Sequence, residues 1–371
     1  MGRKKKFELS YPVKVTEDVF DEGNATLAEM LGSLAAQASG GARVAVVADA
    51  NVVQRTDGLG RKIGRYFQAH GITLAAAPVV VSGGEKSKAD NFQNSILVAT
   101  SLLDAKVGVE DVVIVIGGGT VLDIACHAAA QVRGGLRVLR MPTTVSAMVD
   151  GAFADYAALN GAAVKDAFRV PSTPAAVVVD TLFAKTVLDG VWRAGFGEAV
   201  RYAAVHDAEL TKTLATRAEA AHARDYEAMR ATVAECVALH ATMPDVPFAQ
   251  WCATRLEAMS GYKLPHGYAD AIAVCIDCAY AVKKRRMKES DQELVCRALA
   301  DCGALDGLVH SHHLLSQPDS LLRGLDAWRL STGSASIPLP GALGKSVDET
   351  EPDRDAYAEV IKDFLAVSRG E

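Results

Sequence analysis

The sequence predicts an α/β protein with an N-terminal doubly wound parallel sheet followed by an all-helical C-terminal domain. Three observations carry that expectation. Short, unbroken apolar runs recur through the first half, as in strands buried on both faces. Helix-length segments separate those runs, and alternating strands and helices build a parallel sheet. After Thr181 the strand-like runs stop, and long segments rich in Ala, Glu, Leu and Arg take over. A length of 371 residues suits two domains. The boundary falls between Phe183 and Asp189, giving domains 1–184 and 185–371. Half of the residues are apolar and 23% are charged, which supplies buried cores and excludes a disordered chain. The net charge of −6 offers no broad attraction to nucleic acid or anionic lipid, so the expected partner is a small molecule.

In chain order, the basic run at residues 3–6 has no apolar segment behind it, so it reads as a solvated end rather than a secretory signal. No run approaches the roughly 18 apolar residues of a membrane helix, and the expected location is cytoplasmic. Val44–Asp49 is the first core strand and ends in a carboxylate. Residues 77–81 form the next, followed by Gly83-Gly84-Glu85-Lys86-Ser87-Lys88. A helix over 91–105 leads to a strand over 111–116, which runs through Gly117-Gly118-Gly119 straight into a helix over 120–132. Strands over 136–141 and 175–180 complete the set, the former followed by Pro142-Thr143-Thr144. Helices are predicted over 207–240, 251–260 and 270–287, and residues 316–351 read as loop-rich. Seven cysteines, an odd number without paired spacing, fit reduced buried thiols. Cys275 and Cys278 lie one turn apart in a helical run, and no second pair completes a zinc site.

The glycine triplet is the strongest chemical signal. Residues without side chains let backbone N–H groups and a helix N-terminus approach a pyrophosphate. It is not a G-x-G-x-x-G pattern. Asp49, at a strand end, suits a carboxylate that accepts ribose hydroxyls.

The motif order, a strand-terminal Asp, G-G-E-x-x-K, G-G-G-x-x-x-D, P-T-T and a V-V-V-D strand, resembles the 3-dehydroquinate synthase superfamily, the sugar phosphate cyclases. That superfamily is similar in fold to glycerol and iron-dependent alcohol dehydrogenases. The resemblance implies NAD as cofactor, with Asp49, Glu85, Lys88, Gly117, Gly118, Gly119, Asp123, Thr143, Thr144 and Asp180 on contacting positions. It also implies transient oxidation of a sugar alcohol, elimination, re-reduction and ring closure, assisted by a divalent metal, normally zinc held by a Glu and two His. Homodimers are usual in the family. Tyr11-Pro-Val and Trp192-Arg-Ala-Gly look more like the secondary-metabolism cyclases than the shikimate enzyme.

On this resemblance Glu198 and His266 match two metal ligands, whereas Gln250 and Thr254 stand where a G-H-x-x-x-H helix would carry histidines. Gln250 is thus the third candidate ligand, weaker for zinc than an imidazole, with His240, Asp245 and Asp270 as other donors in reach of the same half. Asp150, Asn160 and Lys165 match substrate-pocket positions, Arg201 stands for a family Lys, and Lys345 matches a late Lys. Tyr156 replaces another Lys, and further phosphate-gripping cations are missing before residue 248. Each lost charge-assisted contact is worth roughly 1.5–3 kcal/mol, so the ordinary shikimate substrate is excluded. The resulting expectation is an NAD-dependent cyclase or lyase acting on a sugar-like substrate, phosphorylated or not, in specialised metabolism. A net NAD-dependent alcohol or polyol oxidoreductase and a catalytically retired NAD-binding protein are the alternatives.

Overall fold

The computed structural model describes residues 8–36, 43–161 and 164–370; the basic run at 3–6 lies outside them. The chain forms two compact units, Leu9–Val187 and Leu188–Glu371.

The first unit is a six-stranded parallel sheet of β1 (Val13–Thr16), β2 (Val44–Asp49), β3 (Val79–Val81), β4 (Val112–Gly117), β5 (Arg137–Pro142) and, after an intervening hairpin, Ala176–Asp180. The hairpin pairs β6 (Tyr156–Gly161) with β7 (Val164–Pro171), so Ala176–Asp180 is β8. Strand order is β1-β8-β5-β4-β2-β3. Every residue of β2, β4 and β8 is buried, as unbroken Val/Ile/Ala runs require. β3 starts two residues later than expected, after Pro78, which has no N–H to give a ladder. β1 and the hairpin were not anticipated: β1 is a four-residue edge strand carrying Lys14, and β7 is mostly exposed, so neither shows an apolar run.

The chain leaves β2 toward β3 on one side, and leaves β4 toward β5 on the other. The carboxyl ends of β2 and β4 therefore flank the switch point of the sheet, the place where doubly wound folds bind ligands.

The second unit is mostly helical. Its helices include Asp189–His206, Ala208–His222, Tyr226–His240, Gln250–Met259, His266–Lys283, Glu289–Asp301, Pro318–Thr332 and Arg354–Arg369. The helix expected over 207–240 is broken at Arg224, whose φ of 61° ends one segment before Asp225 caps the next. Two sequence expectations are corrected here. The unit is not all-helical, because β9 (Ile337–Pro340) and β10 (Ser346–Glu349) pair antiparallel. Residues 316–351 are not loop-rich: Pro318 opens a 15-residue helix, where its missing N–H costs nothing. The packing centre stacks Tyr280 on Tyr357 at 3.7 Å and sets Trp251 edge-on to Tyr357.

Candidate active site

At the switch point, Asp49 caps the helix that follows β2 by accepting from Asn51 N at 2.8 Å. A Cβ at Gly83 would lie 2.6 Å from Asp49 Oδ2, so the segment after β3 rests directly on this carboxylate. A Cβ at Gly117 would strike Val121 at 2.7 Å, and one at Gly118 would strike Thr144 at 2.8 Å. These two glycines therefore permit close turn packing. Gly119 differs: a Cβ there meets nothing within 4 Å. It opens the helix Gly119–Gln131, whose first N–H groups have no partner within the helix, and it leaves them approachable. Thr143 is buried, and Thr144 caps the next helix by accepting from Ala147 N. Asp180 accepts from the N–H groups of Asp18, Val19 and Leu182, so its carboxylate is occupied within the framework.

Beside the turn, residues from two expected sets meet in one charge cluster. Lys88 Nζ, 3% exposed, lies 2.7 Å from both Asp123 Oδ2 and Asp166 Oδ1 and 3.5 Å from Glu85 Oε1. Lys165 Nζ is 3.7 Å from Glu85 Oε1, and Asn160 Nδ2 donates to the same oxygen at 2.9 Å. Asp123 also accepts from Ala158 N, tying the helix to the hairpin. Burial pushes the Glu85 carboxyl up, but Lys165, Lys88 and Asn160 together outweigh it and bring it down to about 2. Burial opposes the Lys88 charge, yet its three carboxylates hold it well above the ordinary lysine range. Asp123 is raised, chiefly by burial. Asp166 is lowered, since Lys88 and Lys165 overcome its burial.

Asp166 was not foreseen. It lies in β7 at the break in register opposite Asn160, where its φ of 53° interrupts the strand, and its one sequence signal is adjacency to Lys165. Arg169 likewise lies 4.7 Å over the ring of Tyr156, so a cation stands beside the phenol that replaces the expected Lys. Asp150 sits between two short helices, its N–H donating to Ser146 O.

In the second unit, Glu198 lies on the buried face of Asp189–His206, and His266 opens His266–Lys283. Gly267 brings these helices together, because a Cβ there would lie 2.7 Å from both the Cβ and the carbonyl O of Ala194. His266 Nε2 stands 3.7 Å from Glu198 Oε2 and 3.3 Å from Asp270 Oδ2. Glu198, His266 and Asp270 offer ligand atoms that all lie within 4.8 Å of one another. His266 Nδ1 pairs with fully buried Glu257 at 2.8 Å, which fixes the ring and turns Nε2 to the donor group. Sequence reasoning missed Glu257, whose signal was a carboxylate on the helix that ends just before the His266 segment.

Gln250 Nε2 donates to Asp270 Oδ1 at 3.3 Å, which brings Gln250 to the edge of the same group. Thr254 bonds back to Gln250 O. His240 stacks on Tyr202 at 4.0 Å, and among the described residues neither it nor Asp245 joins the donor group. Arg201 is buried, with Nη2 at 3.2 Å from Glu198 Oε1, Nε at 3.7 Å from Asp270 Oδ2 and Nη1 donating to Phe248 O. It is a counter-charge inside the cluster. Lys345 is exposed in the turn between β9 and β10. Cys275 and Cys278 are buried on one helix, and no cysteine enters the donor group among the described residues.

The donor spacing tests whether a metal fits. Two ligands each about 2.05 Å from a tetrahedral ion stand roughly 3.3 Å apart, close to the 3.3 and 3.7 Å separations from His266 Nε2. The chemistry of the donors agrees: Glu198, Asp270 and Glu257 bring three carboxyl groups around the His266 imidazole, the donor types a divalent cation takes. The residues fit such an ion.

A switch-point glycine turn in a parallel sheet, with a mostly helical unit carrying a carboxylate–imidazole group, is the dehydroquinate-synthase-like architecture. The comparisons agree. The 3-dehydroquinate synthase N-terminal family model matches residues 78–193. A 3-dehydroquinate synthase of Rhodopseudomonas palustris is 27% identical over 364 residues, covering 91% of this chain and 90% of the relative. A 2-epi-5-epi-valiolone synthase of Streptomyces hygroscopicus subsp. jinggangensis 5008, solved with NAD+ and Zn2+ bound, superposes with TM-score 0.82 at 20% identity over the full length of both chains. A probable glycerol dehydrogenase of Sinorhizobium meliloti superposes with TM-score 0.68 at 18% identity, covering 99% of this chain and 100% of that one. The chain is thus similar to the 3-dehydroquinate synthases, as its motif order led one to expect. Among the described residues, no helix is long and apolar enough to cross a membrane.

Proposed function

We propose that the protein is an NAD-dependent cyclase or lyase of the sugar-phosphate-cyclase type, acting on a sugar-like substrate in specialised metabolism with a divalent metal in an altered site. The observation that carries the reading is the pair of surviving constellations: the open Gly119 turn beside Asp49, and the Glu198–His266 pair oriented by Glu257. The Streptomyces relative, which carries both NAD+ and Zn2+ on the same fold, supports it. When bound, NAD supplies reversible hydride acceptance, and a divalent metal polarises the substrate's oxygen.

The chain's own residues do the rest. The Gly118–Gly119 turn and helix N-terminus receive the pyrophosphate, and Asp49 accepts the ribose hydroxyls. The Glu85–Lys88–Asp123–Asp166 cluster fixes the neighbouring hairpin, which presents Asn160 and Lys165. Glu198 and His266 hold the metal with a further donor beside them. Arg201, which stands for a family Lys, is committed to Glu198 and Asp270. Phosphate is therefore gripped less firmly than by a pocket with the full set.

The test is to denature purified protein, assay released NAD and metal, and then incubate the holoprotein with sugar phosphates and their dephosphorylated analogues. A carbocyclic product by mass spectrometry without net change at 340 nm supports the proposal. Net NADH accumulation with a polyol moves the assignment to an oxidoreductase, and NAD retention without turnover of any sugar moves it to a retired enzyme.

A further inference from the structure

We propose that Asp270, not Gln250, is the third protein ligand of the metal, and that Gln250 acts on the ion only through Asp270. The inference rests on the metal reading above and names its ligand set.

Asp270 lies one turn beyond His266, on the same helix face, as i and i+4 residues do. Its side chain is fully buried, and Oδ2 receives no hydrogen bond; His266 Nε2 stands at 3.3 Å and Arg201 Nε at 3.7 Å. Those separations exceed the 2.7–2.9 Å of a charge-assisted hydrogen bond. A buried carboxylate oxygen facing other donors across such gaps is costly unless a cation fills the space. Oδ2 is also the oxygen that stands beside His266 Nε2, while Oδ1 takes the Gln250 amide.

Gln250 is bound by the chemistry of its partner. A carboxylate only accepts, so the amide presents its NH2 group to Oδ1. This is an orienting contact on the far oxygen of a ligand, like the Glu257 contact on the far nitrogen of His266. The lost imidazole is thus made good by a carboxylate from a different helix position. Arg201, reaching both Glu198 and Asp270, offsets the added negative charge. One nitrogen and two carboxylate oxygens make a harder donor set than two imidazoles and one carboxylate, so Mn2+ competes better with Zn2+ here.

The test uses the full chain freed of metal by chelator and titrated with Co2+, followed by its visible absorption and by calorimetry. Asp270→Asn, isosteric and neutral, is expected to weaken Co2+ by more than ~100-fold and abolish the band, whereas Gln250→Ala keeps the band with a loss of ~10–100-fold. Glu198→Gln abolishes binding. Binding lost in Glu198→Gln yet retained in Asp270→Asn overturns this ligand assignment and leaves the metal reading standing. A wild-type chain that takes up no Co2+, Zn2+ or Mn2+ overturns both. Circular dichroism checks that each variant is folded. Stabilisation by Zn2+ in thermal unfolding is expected for wild type and Gln250→Ala but not for Asp270→Asn, and the reverse pattern refutes the assignment independently.

Discussion

Replacing Lys88 by Met removes the cation on which the first unit's charge cluster is built. Lys88 is 3% exposed and reaches Asp123 and Asp166 at 2.7 Å each and Glu85 at 3.5 Å. Were these solvent-exposed pairs, the loss would be within about 1 kcal/mol. At this burial the other regime applies: removing one partner strands the remaining charges, at a cost of about 3–5 kcal/mol. Lys165 still neutralises Glu85, so the uncompensated charge falls on Asp123 and Asp166. Asp166→Asn in the Lys88→Met background should therefore recover much of the loss. The assay is urea unfolding followed by far-UV circular dichroism, because Trp192, Trp251 and Trp328 all lie in the second unit and their fluorescence would miss the event. The pH dependence follows from the same groups. Folded Glu85 titrates near 2 and Asp166 is also depressed, so the stability they contribute is present above their unfolded values near 4 and is lost as pH falls toward 2. The Lys88→Met penalty should shrink across that window as the stranded carboxylates take up protons. A loss below 1 kcal/mol at neutral pH, or no recovery with Asp166→Asn, refutes the reasoning.

Three further outcomes are expected. Gly119→Ala adds a methyl group that meets nothing within 4 Å, so thermal stability should hold or rise slightly while NAD affinity, measured by calorimetry, falls more than about tenfold as the pyrophosphate's approach is blocked; unchanged affinity would place the nucleotide elsewhere. Gly267→Ala drives a Cβ against the Ala194 backbone at 2.7 Å and should cost about 1–3 kcal/mol while weakening metal binding, whereas Gly64→Ala, a helical glycine with open space around it, should not destabilise; equal Tm values for the two variants would count against the helix contact. Burial raises the Asp277 carboxyl to about 7 despite donors from Tyr357 and Trp251. A raised folded value means that stability is greatest below the unfolded value near 4 and declines as pH rises through 7. Asp277→Asn should flatten Tm between pH 5 and 8 and be at least as stable as wild type at pH 8, and a variant with the wild-type slope contradicts this.

The sequence by itself determined the parallel sheet, because strands buried on both faces must be apolar at every position; β2, β4 and β8 stand within a residue of where the Val-rich runs put them. It also determined the glycine turn, since a strand running without a break into a helix leaves little conformational choice. It marked Glu198 and His266 as metal candidates. Strands exposed along part of their length, β1, β7 and β10, left no such mark, and the buried strands β6 and β9 are short and carry Asn160 and Gly161 or Pro338 and Pro340 in place of an unbroken Val/Ile run. The tertiary structure alone decided the partners. Asp166 reaches Lys88 across a separation of 78 residues, from a mostly exposed strand without an apolar signature. Glu257 meets His266 from a neighbouring helix, and Glu198 reaches the same ring because Gly267 lets its helix sit against the Ala194 backbone. Burial periodicity is written locally in the chain. Which charge finds which counter-charge depends on distances between elements, and only packing sets those.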